Sequence, residues 1–491
     1  MDTGRTGTTT PDKYLHTLGG IVADGRYGHA RAYATKHRET MASLMTPEQA
    51  AQSAALIALA ENPPRTEPSR PAGDVAGAVV LTMRAEAASL VTFGEPEEKT
   101  IAQMRRCLTM PEAAAGVLCA DAHYGYSQPV GGVAAYRGAV SVSGVGYDIG
   151  CGLKGVRTNL KAADVRGDLS RLVDEIARAV SFGIGRRNVT PVDHPLFDDP
   201  AWRDVPHLQG LKQTAQAQLG TVGSGNHFVD LLVEPETDDL WVSAHFGSRG
   251  FGHKTASGFL NLAAGLAFGG KPRSESMDVP PTLLATDTAL GQAYLEAMRL
   301  AGEYAYAGRD YVVGQVLGVL GARETFAVHN HHNYAWRETH GGESLHVVRK
   351  GATPLAPGQL GFVGGSMADI SVVVEGIESE RGVASLYSTI HGAGRTMSRT
   401  AAAGKPKYVR DDHGARRQVR SGGAITPEMM REATRAYGVE VRGAGTDESP
   451  FVYRKLADVL AAHADTLVVR HVLKPIGVVM AGEGEEDPYK D

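Results

Sequence analysis

Apolar positions along this chain come mostly in short uninterrupted runs cut off by glycine, and a helical period of three to four surfaces in only a few places. Gly116-Val117-Leu118-Cys119-Ala120 reads as a buried strand, followed by Asp121-Ala122-His123-Tyr124-Gly125-Tyr126 and a Gly-containing, hairpin-like region through Val142. Residues 228–233, 240–244, 345–348 and 370–374 read as further strands, and 466–472 as a closing one. A helical period shows at residues 168–181, where Leu172, Ile176 and Val180 fall on one face. Residues 286–320 continue it for longer, and Gly302 and Gly308 within that stretch predict two helices rather than one. Thr426-Pro427-Glu428 opens another helix, and residues 453–463 supply one more. Strands and helices alternate irregularly without an internal repeat, which predicts a mixed α/β (α+β) domain rather than a doubly wound sheet.

The N-terminal part has a different texture. Residues 1 to 15 are polar and Thr-rich and are expected to be disordered. A helical stretch covers 28–60, with Thr46 as N-cap, Pro47 at the first helical position and Gln49 placed for a capping box; it should end near Asn62-Pro63-Pro64. Several prolines and charges over 62–71 resemble a linker. The expected organisation is an N-terminal extension over 1–75, one large catalytic domain over 76–482 and an acidic, solvated tail over 483–491.

Length and charge narrow the class. With 491 residues, 42% of them hydrophobic, the chain can bury a large core. A formal net charge of -5 argues against a sequence-blind polyanion binder and leaves room only for a local basic groove. Cys107, Cys119 and Cys151 form an odd, widely spaced set, unlike a disulfide framework, and suit a reducing compartment. No apolar run approaches the roughly 18 to 20 residues of a membrane span, and the N-terminus lacks a signal peptide's apolar core, so the expected location is cytoplasmic with no membrane partner.

The candidate chemistry concentrates in the glycine-rich breaks. Gly146-Tyr147-Asp148-Ile149-Gly150-Cys151-Gly152 sets a carboxylate and a thiol three residues apart on bare backbone, half of a metal site; the bland alternative is a turn with a buried Cys. Gly223-Ser224-Gly225-Asn226-His227, His245-Phe246-Gly247-Ser248-Arg249-Gly250, His329-Asn330-His331-His332-Asn333 and His391-Gly392-Ala393-Gly394-Arg395 each put His beside glycines or amides. Cys, Asp and His together suit zinc or manganese better than magnesium, and sequence leaves those two open. Three turns, 223–226, Gly364-Gly365-Ser366-Met367 and 392–395, offer backbone N–H cradles for anions, with Arg249, Arg349, Lys350 and Arg395 as candidate cations. His391 could be a metal ligand, a general acid or a nucleophile toward phosphorus.

In this order the segments resemble the RtcB family of GTP-dependent RNA ligases, from about residue 98 to 482. The resemblance implies a single RtcB-like domain and RNA 3′-end chemistry. It implies two Mn(II) ions held by Asp148, Cys151, His227, His245 and His332, with Cys151 bridging, and His391 as the nucleophile that carries GMP. It places the nucleotide among Asn226, His227, Phe228, Asp230, His332, Asn333, Gly364, Gly365, Ser366, Met367, Ser371, Gly392, Ala393 and Gly394, with Tyr453 stacked on guanine. The implied substrates are GTP and RNA bearing 3′-phosphate or 2′,3′-cyclic phosphate and 5′-hydroxyl ends, with an archease-type activating protein as partner. Two positions depart from the family pattern. Met480 stands at or beside the place of a nucleotide-binding Lys, and Asp230 is shorter than the family's Glu; Arg454 or Lys474 is the candidate to stand in for the missing lysine.

Overall fold

The structure, a computed structural model, describes residues 14–15, 18, 33–37, 44–61, 88–270, 277–410 and 416–482. Two compact units separate along the chain: Met1–Ala76 with Pro195–Asp204, and Gly77–His194 with Val205–Asp491. The linker expected over 62–71 and the acidic tail lie outside the described residues.

In the first unit the helix α1 (Pro47–Glu61) starts where the sequence places it. The Thr46 N–H donates to Gln49 Oε1 at 3.0 Å and the Gln49 N–H to Thr46 Oγ1 at 3.3 Å, which closes the capping box. Tyr14 and Leu15 fall at the edge of the stretch expected to be disordered, yet both are buried and cluster with Leu18 and Ala34.

The second unit runs through β1 (Ser89–Thr92), α2 (Glu98–Leu108), β2 (Ala113–His123), β3 (Val130–Tyr136), β4 (Gly152–Lys161), α3 (Leu169–Ala179), β5 (Phe228–Val233), β6 (Asp239–Phe246), α4 (Arg249–Ala263) and α5 (Ala289–Leu320). It continues with β7 (Glu324–His331), β8 (Asn333–His340), β9 (Glu343–Lys350), β10 (Leu360–Val363), β11 (Ser371–Gly376), α6 (Arg399–Ala403), β12 (Gly404–Arg410), β13 (Arg416–Gly422), α7 (Pro427–Tyr437), β14 (Glu440–Ala444), α8 (Leu456–Ala461) and β15 (Leu467–Gly482). Further helices, among them Gln209–Gln218, short strands and turns fill the gaps.

Two sheets organise these elements. One has the order β1-β2-β3-β9-β8 and the other β7-β4-β6-β5-β15-β11-β10, with β14 added beside β15. Nearly all neighbours are antiparallel, as expected for a mixed fold. Val117, Val133 and Val347 of the first sheet share a buried cluster with Val363, Val372 and Val374 of the second, so one core lies between them. On the second sheet, Val229, Leu231 and Val242 pack against Val173 and Ile176 of α3 and Val312, Val313 and Val316 of α5, while Leu153, Leu232 and Trp241 fill the opposite face. Burial on both faces explains why these strands read as continuous apolar runs.

Within residues 286–320 there is one helix of 32 residues, α5 (Ala289–Leu320), not two. Its glycines serve close packing: a Cβ on Gly302 would come within 2.8 Å of the Tyr334 ring, and one on Gly308 within 3.2 Å of Phe246. Tertiary packing overrides a helix cost of about 1 kcal/mol per glycine. Two other expectations shift at their edges. The helix expected over 453–463 is the shorter α8, with Tyr453 in the segment before it, and the closing strand is longer, reaching Gly482.

Candidate active site

Sheet order brings the His and Cys segments together. In the run β7-β4-β6-β5 the strands alternate direction, so the end of β7, the start of β4, the end of β6 and the start of β5 share one edge. His332 follows β7, Cys151 precedes β4, His245 lies near the end of β6, and His227 precedes β5. Backbone bonds lock the turns to each other: the His332 N–H donates to Cys151 O at 2.8 Å and the Gly150 N–H to Asn333 O at 2.8 Å. Gly247 clears space, since a Cβ there would meet the Asp148 carboxylate at 2.2 Å.

Cys151 Sγ lies 3.6 Å from His227 Nε2 and 3.4 Å from His245 Nε2, His245 Nε2 lies 3.3 Å from His332 Nε2, and His227 Nε2 lies 3.0 Å from Asp148 Oδ2. Asp148, Cys151 and His227 form one potential metal-binding set and Cys151, His245 and His332 another; within each, the donor atoms lie within 4.8 Å of one another. The His245 Nδ1 donates to Asn226 O at 2.8 Å, which leaves its Nε2 lone pair for a cation. Burial, with His227 next, pushes the His245 imidazole down to about 3, and burial, with His391 next, pushes His332 well below its ordinary value. Burial raises the Asp148 carboxyl, but the hydrogen bond and charge of His227 outweigh it and hold it at about 2. Burial, then the Asp148 charge, pushes the Cys151 thiol well above its usual value. Two crowded imidazoles kept neutral by burial, a third beside a carboxylate, and a thiol that ionises only beside a positive charge suit a divalent transition metal, and two sets sharing one sulfur would fit a pair of ions.

These side chains line a cavity of about 520 Å³, and His391 is on its wall, with its ring centroid 4.9 Å from that of His332. His391 Nδ1 lies 2.6 Å from Oδ2 of the fully buried Asp121, and that oxygen also accepts the N–H groups of His391 at 2.9 Å and Gly392 at 3.2 Å. Burial raises the Asp121 carboxyl, yet the charge and hydrogen bonds of His391 hold it below its ordinary 3.8. Gly394, at φ +72°, lets the turn sit this close: a Cβ there would come within 2.4 Å of Asp121 O.

Asn226, Phe228, Asp230, Asn333, Gly364, Gly365, Ser366, Met367, Gly392, Ala393, Gly394 and Tyr453 all line the same cavity. Ser371 does not; its buried hydroxyl accepts the Gly365 N–H at 3.0 Å and so braces the turn from behind. Arg349, read from sequence as a cation for anions, is buried, forks onto both oxygens of Glu338 and donates to Leu386 O at 2.8 Å. Lys350 and Arg395 do reach the cavity wall. Neither candidate to stand in for the missing lysine does: Arg454 donates to Ala120 O at 2.9 Å, and Lys474 is exposed opposite Val233.

The family model described as tRNA-splicing ligase RtcB matches residues 103–204 and 197–481, which is most of the chain. The chain belongs to the RtcB family. The RNA-splicing ligase RtcB of Escherichia coli K12 is 31% identical over 385 residues, covering 72% of this chain and 87% of its own. The tRNA-splicing ligase RtcB of Thermococcus kodakarensis is 30% identical over 480 residues, covering 78% and 93%. That of Pyrobaculum aerophilum is 28% identical over 445 residues, covering 74% and 87%.

Two residues of this RtcB protein do not stand out from sequence. Asp121 sits inside the segment that also holds His123, but its partner lies 270 residues on. Arg309 of α5 is fully buried and donates to Gly150 O at 2.9 Å and Phe246 O at 2.5 Å through Nη1 and to His329 Nε2 at 2.9 Å through Nε, and its Nη2 lies 3.0 Å from His331 Nδ1. Gly150, Phe246 and His331 each adjoin one of Cys151, His245 and His332, so one guanidinium ties three ligand-bearing segments together. An Arg in register with Ala305, Val312 and Val316 on the apolar face of a helix was the available signal.

Proposed function

We propose that this protein is an RNA ligase that joins an RNA 3′-phosphate or 2′,3′-cyclic phosphate end to a 5′-hydroxyl end, using GTP as co-substrate and two Mn(II) ions. The observation that carries the reading is His391, set on the wall of a nucleotide-sized cavity beside two metal-donor sets and oriented through Nδ1 by a buried carboxylate. RNA ligation is also what the printed names of the matching relatives state for those proteins.

Asp148, Cys151, His227, His245 and His332 would hold the two ions, whose charge neutralises phosphate oxygens during transfer. With Nδ1 of His391 facing Asp121, Nε2 is the nitrogen free to act. It attacks the α-phosphorus of GTP; an N–P bond forms, the Pα–O bond to the β-phosphate breaks, and pyrophosphate leaves. An oxygen of the RNA 3′-phosphate, produced by hydrolysis where the end is cyclic, then attacks the same phosphorus and releases His391. The 5′-hydroxyl finally attacks the 3′-phosphate, the new phosphodiester forms and GMP departs. Asp121 stabilises positive charge on the imidazole as the N–P bond forms and fixes its orientation throughout. The turns at 364–367 and 392–394, braced by the Gly365 N–H bond to Ser371 and the Gly392 N–H bond to Asp121, line the cavity where the phosphates would lie, and Arg395, whose guanidinium sits 5.2 Å above the Tyr453 ring and donates to its hydroxyl at 3.1 Å, holds that ring at the cavity wall. A cytoplasmic setting and an archease-type activator belong to the same reading.

Altered nucleotide choice is favoured by one specific observation. Asp230 and Met480 face the cavity from adjacent strands β5 and β15, Asp230 Oδ1 has no hydrogen-bond partner among the described residues, and burial pushes that carboxyl well above its ordinary range.

The test is ligation of two short RNAs, one ending in 3′-phosphate and one beginning with 5′-hydroxyl, with Mn(II) and GTP. A joined product that needs both end types and vanishes on chelation is expected. Release of inorganic phosphate without joining would instead make the protein an RNA-end phosphohydrolase.

A further inference from the structure

We propose that Tyr124, at the cavity, is a stacking platform for the 3′-terminal nucleobase of the RNA, with Lys99 beside it for the phosphate chain of that end. That the base belongs to RNA rests on the ligase reading above.

One helix face builds the platform. Lys99, Gln103 and Arg106 lie at i, i+4 and i+7 of α2, so they share one side of that helix. Each holds a different part of the turn that carries Tyr124. The fully buried Gln103 takes both backbone groups of Gly125: its Oε1 accepts the Gly125 N–H at 3.1 Å, and its Nε2 donates to Gly125 O. The same amide nitrogen donates to Met277 O at 2.8 Å, so the turn and the segment at 277–278 are clamped together. Arg106 holds that segment too, donating to Asp278 Oδ1 at 3.0 Å, and Asp278 in turn accepts the Tyr124 hydroxyl. The Lys99 ammonium sits 5.7 Å from the centre of the Tyr124 ring.

The ring is held in place without being packed away. Tyr124 is half-buried and lines the cavity together with Lys99 and Met277. A tyrosine anchored at both its backbone and its hydroxyl has little freedom left to lose when a base lies on it, and an aromatic face beside a cation is what single-stranded nucleic acid stacks on. Lys99 pairs with Glu97 at 2.9 Å, both side chains exposed, an ion pair weak enough in water to yield the ammonium to a phosphate.

Position along the chain selects the 3′ end. Tyr124 directly follows β2, whose last residues include Asp121, the carboxylate that orients His391. Three residues of extended chain span roughly 10 Å, the reach of the nucleotide whose 3′-phosphate meets His391.

The experiment measures binding of the RNA end without GTP. A ten-nucleotide oligoadenosine with a 3′-phosphate and an internal fluorescein is titrated with the full chain by anisotropy, beside two otherwise identical strands that are abasic at the 3′-terminal or the 5′-terminal nucleotide. Wild type should bind the 3′-abasic strand roughly five- to a hundredfold more weakly than the intact one, and the 5′-abasic strand as tightly as the intact one. Tyr124→Ala should bind all three alike at the weaker level, whereas Tyr124→Phe, which keeps the ring, should still discriminate. Tyr124→Leu should lose discrimination likewise and covers the case that Tyr124→Ala fails to fold. In Lys99→Gln the slope of log K against log salt should flatten by about 0.7, and an unchanged slope would overturn the part assigned to Lys99. Equal binding of the intact and 3′-abasic strands by wild type, as expected if the ring instead receives the guanine of GTP, would overturn the proposal. Discrimination that survives in Tyr124→Ala or Tyr124→Leu would overturn it too. If Tyr124-dependent discrimination is present but wild type joins no RNA ends, the ligase reading fails and the platform stands.

Discussion

Asp230 shows how much one side chain can decide. A carboxylate would accept from both N1–H and the exocyclic amine of guanine, but burial pushes this carboxyl up with no cation among the causes acting on it. Burial favours the protonated form, and a protonated acid offers one donor and one acceptor, which suits adenine as well as guanine. Met480, paired with Phe228 and packed on Met367 and Val478, supplies no charge. Adduct formation is therefore expected to differ less than about tenfold between GTP and ATP in the wild type. In Met480→Lys, a restored charge-assisted hydrogen bond, worth roughly 1.5 to 3 kcal/mol, should favour GTP by about ten- to a hundredfold. Strong GTP selectivity in the wild type, unchanged by the added Lys, would show that both departures are silent.

At the scale of elements, α5 acts as a spine behind the metal-donor turns. Its Gly302 lets the turn at Gly150 approach, with a Gly150 Cβ only 3.1 Å from the Gly302 Cα, and its Arg309 bonds to the neighbours of Cys151, His245 and His332. Arg309→Met should fold but bind Mn(II) about ten- to a hundredfold more weakly, the usual effect of removing a residue that orients ligands. Metal titration by calorimetry reads this without any activity assay, and unchanged affinity would make Arg309 merely a buried structural cation. The metal-donor turns were legible in the sequence because Asp148 and Cys151 sit three residues apart and each His falls at a strand end in a segment of glycines or amides. The continuous α5, the Arg349–Glu338 pair and the Asp121–His391 pair were not, since each depends on segments that meet only in the folded chain.

Across the whole molecule, buried neutral histidines set the response to acid. His463 accepts the Ala120 N–H through Nε2 at 3.2 Å and stacks on Phe93 at 4.0 Å; burial pushes it down to about 4, and burial does the same to His123. Their folded values lie below the ordinary 6.5, so the unfolded chain takes up protons first as pH falls. Stability should be full above about pH 6.5 and decline progressively toward pH 4, whereas Asp148, held at about 2, adds its loss only below its ordinary 3.8. Thermal unfolding midpoints from pH 7.5 to 4.5 would show the decline, and His463→Gln should flatten it; a midpoint constant down to pH 4.5 would contradict this. The nitrogen chemistry of the imidazole beside Asp121 is read most directly by mass spectrometry. After incubation with Mn(II) and GTP and digestion at neutral to mildly alkaline pH, one acid-labile GMP is expected on the peptide containing His391 and none in His391→Ala. An adduct at another residue, or one that survives in His391→Ala, would contradict it.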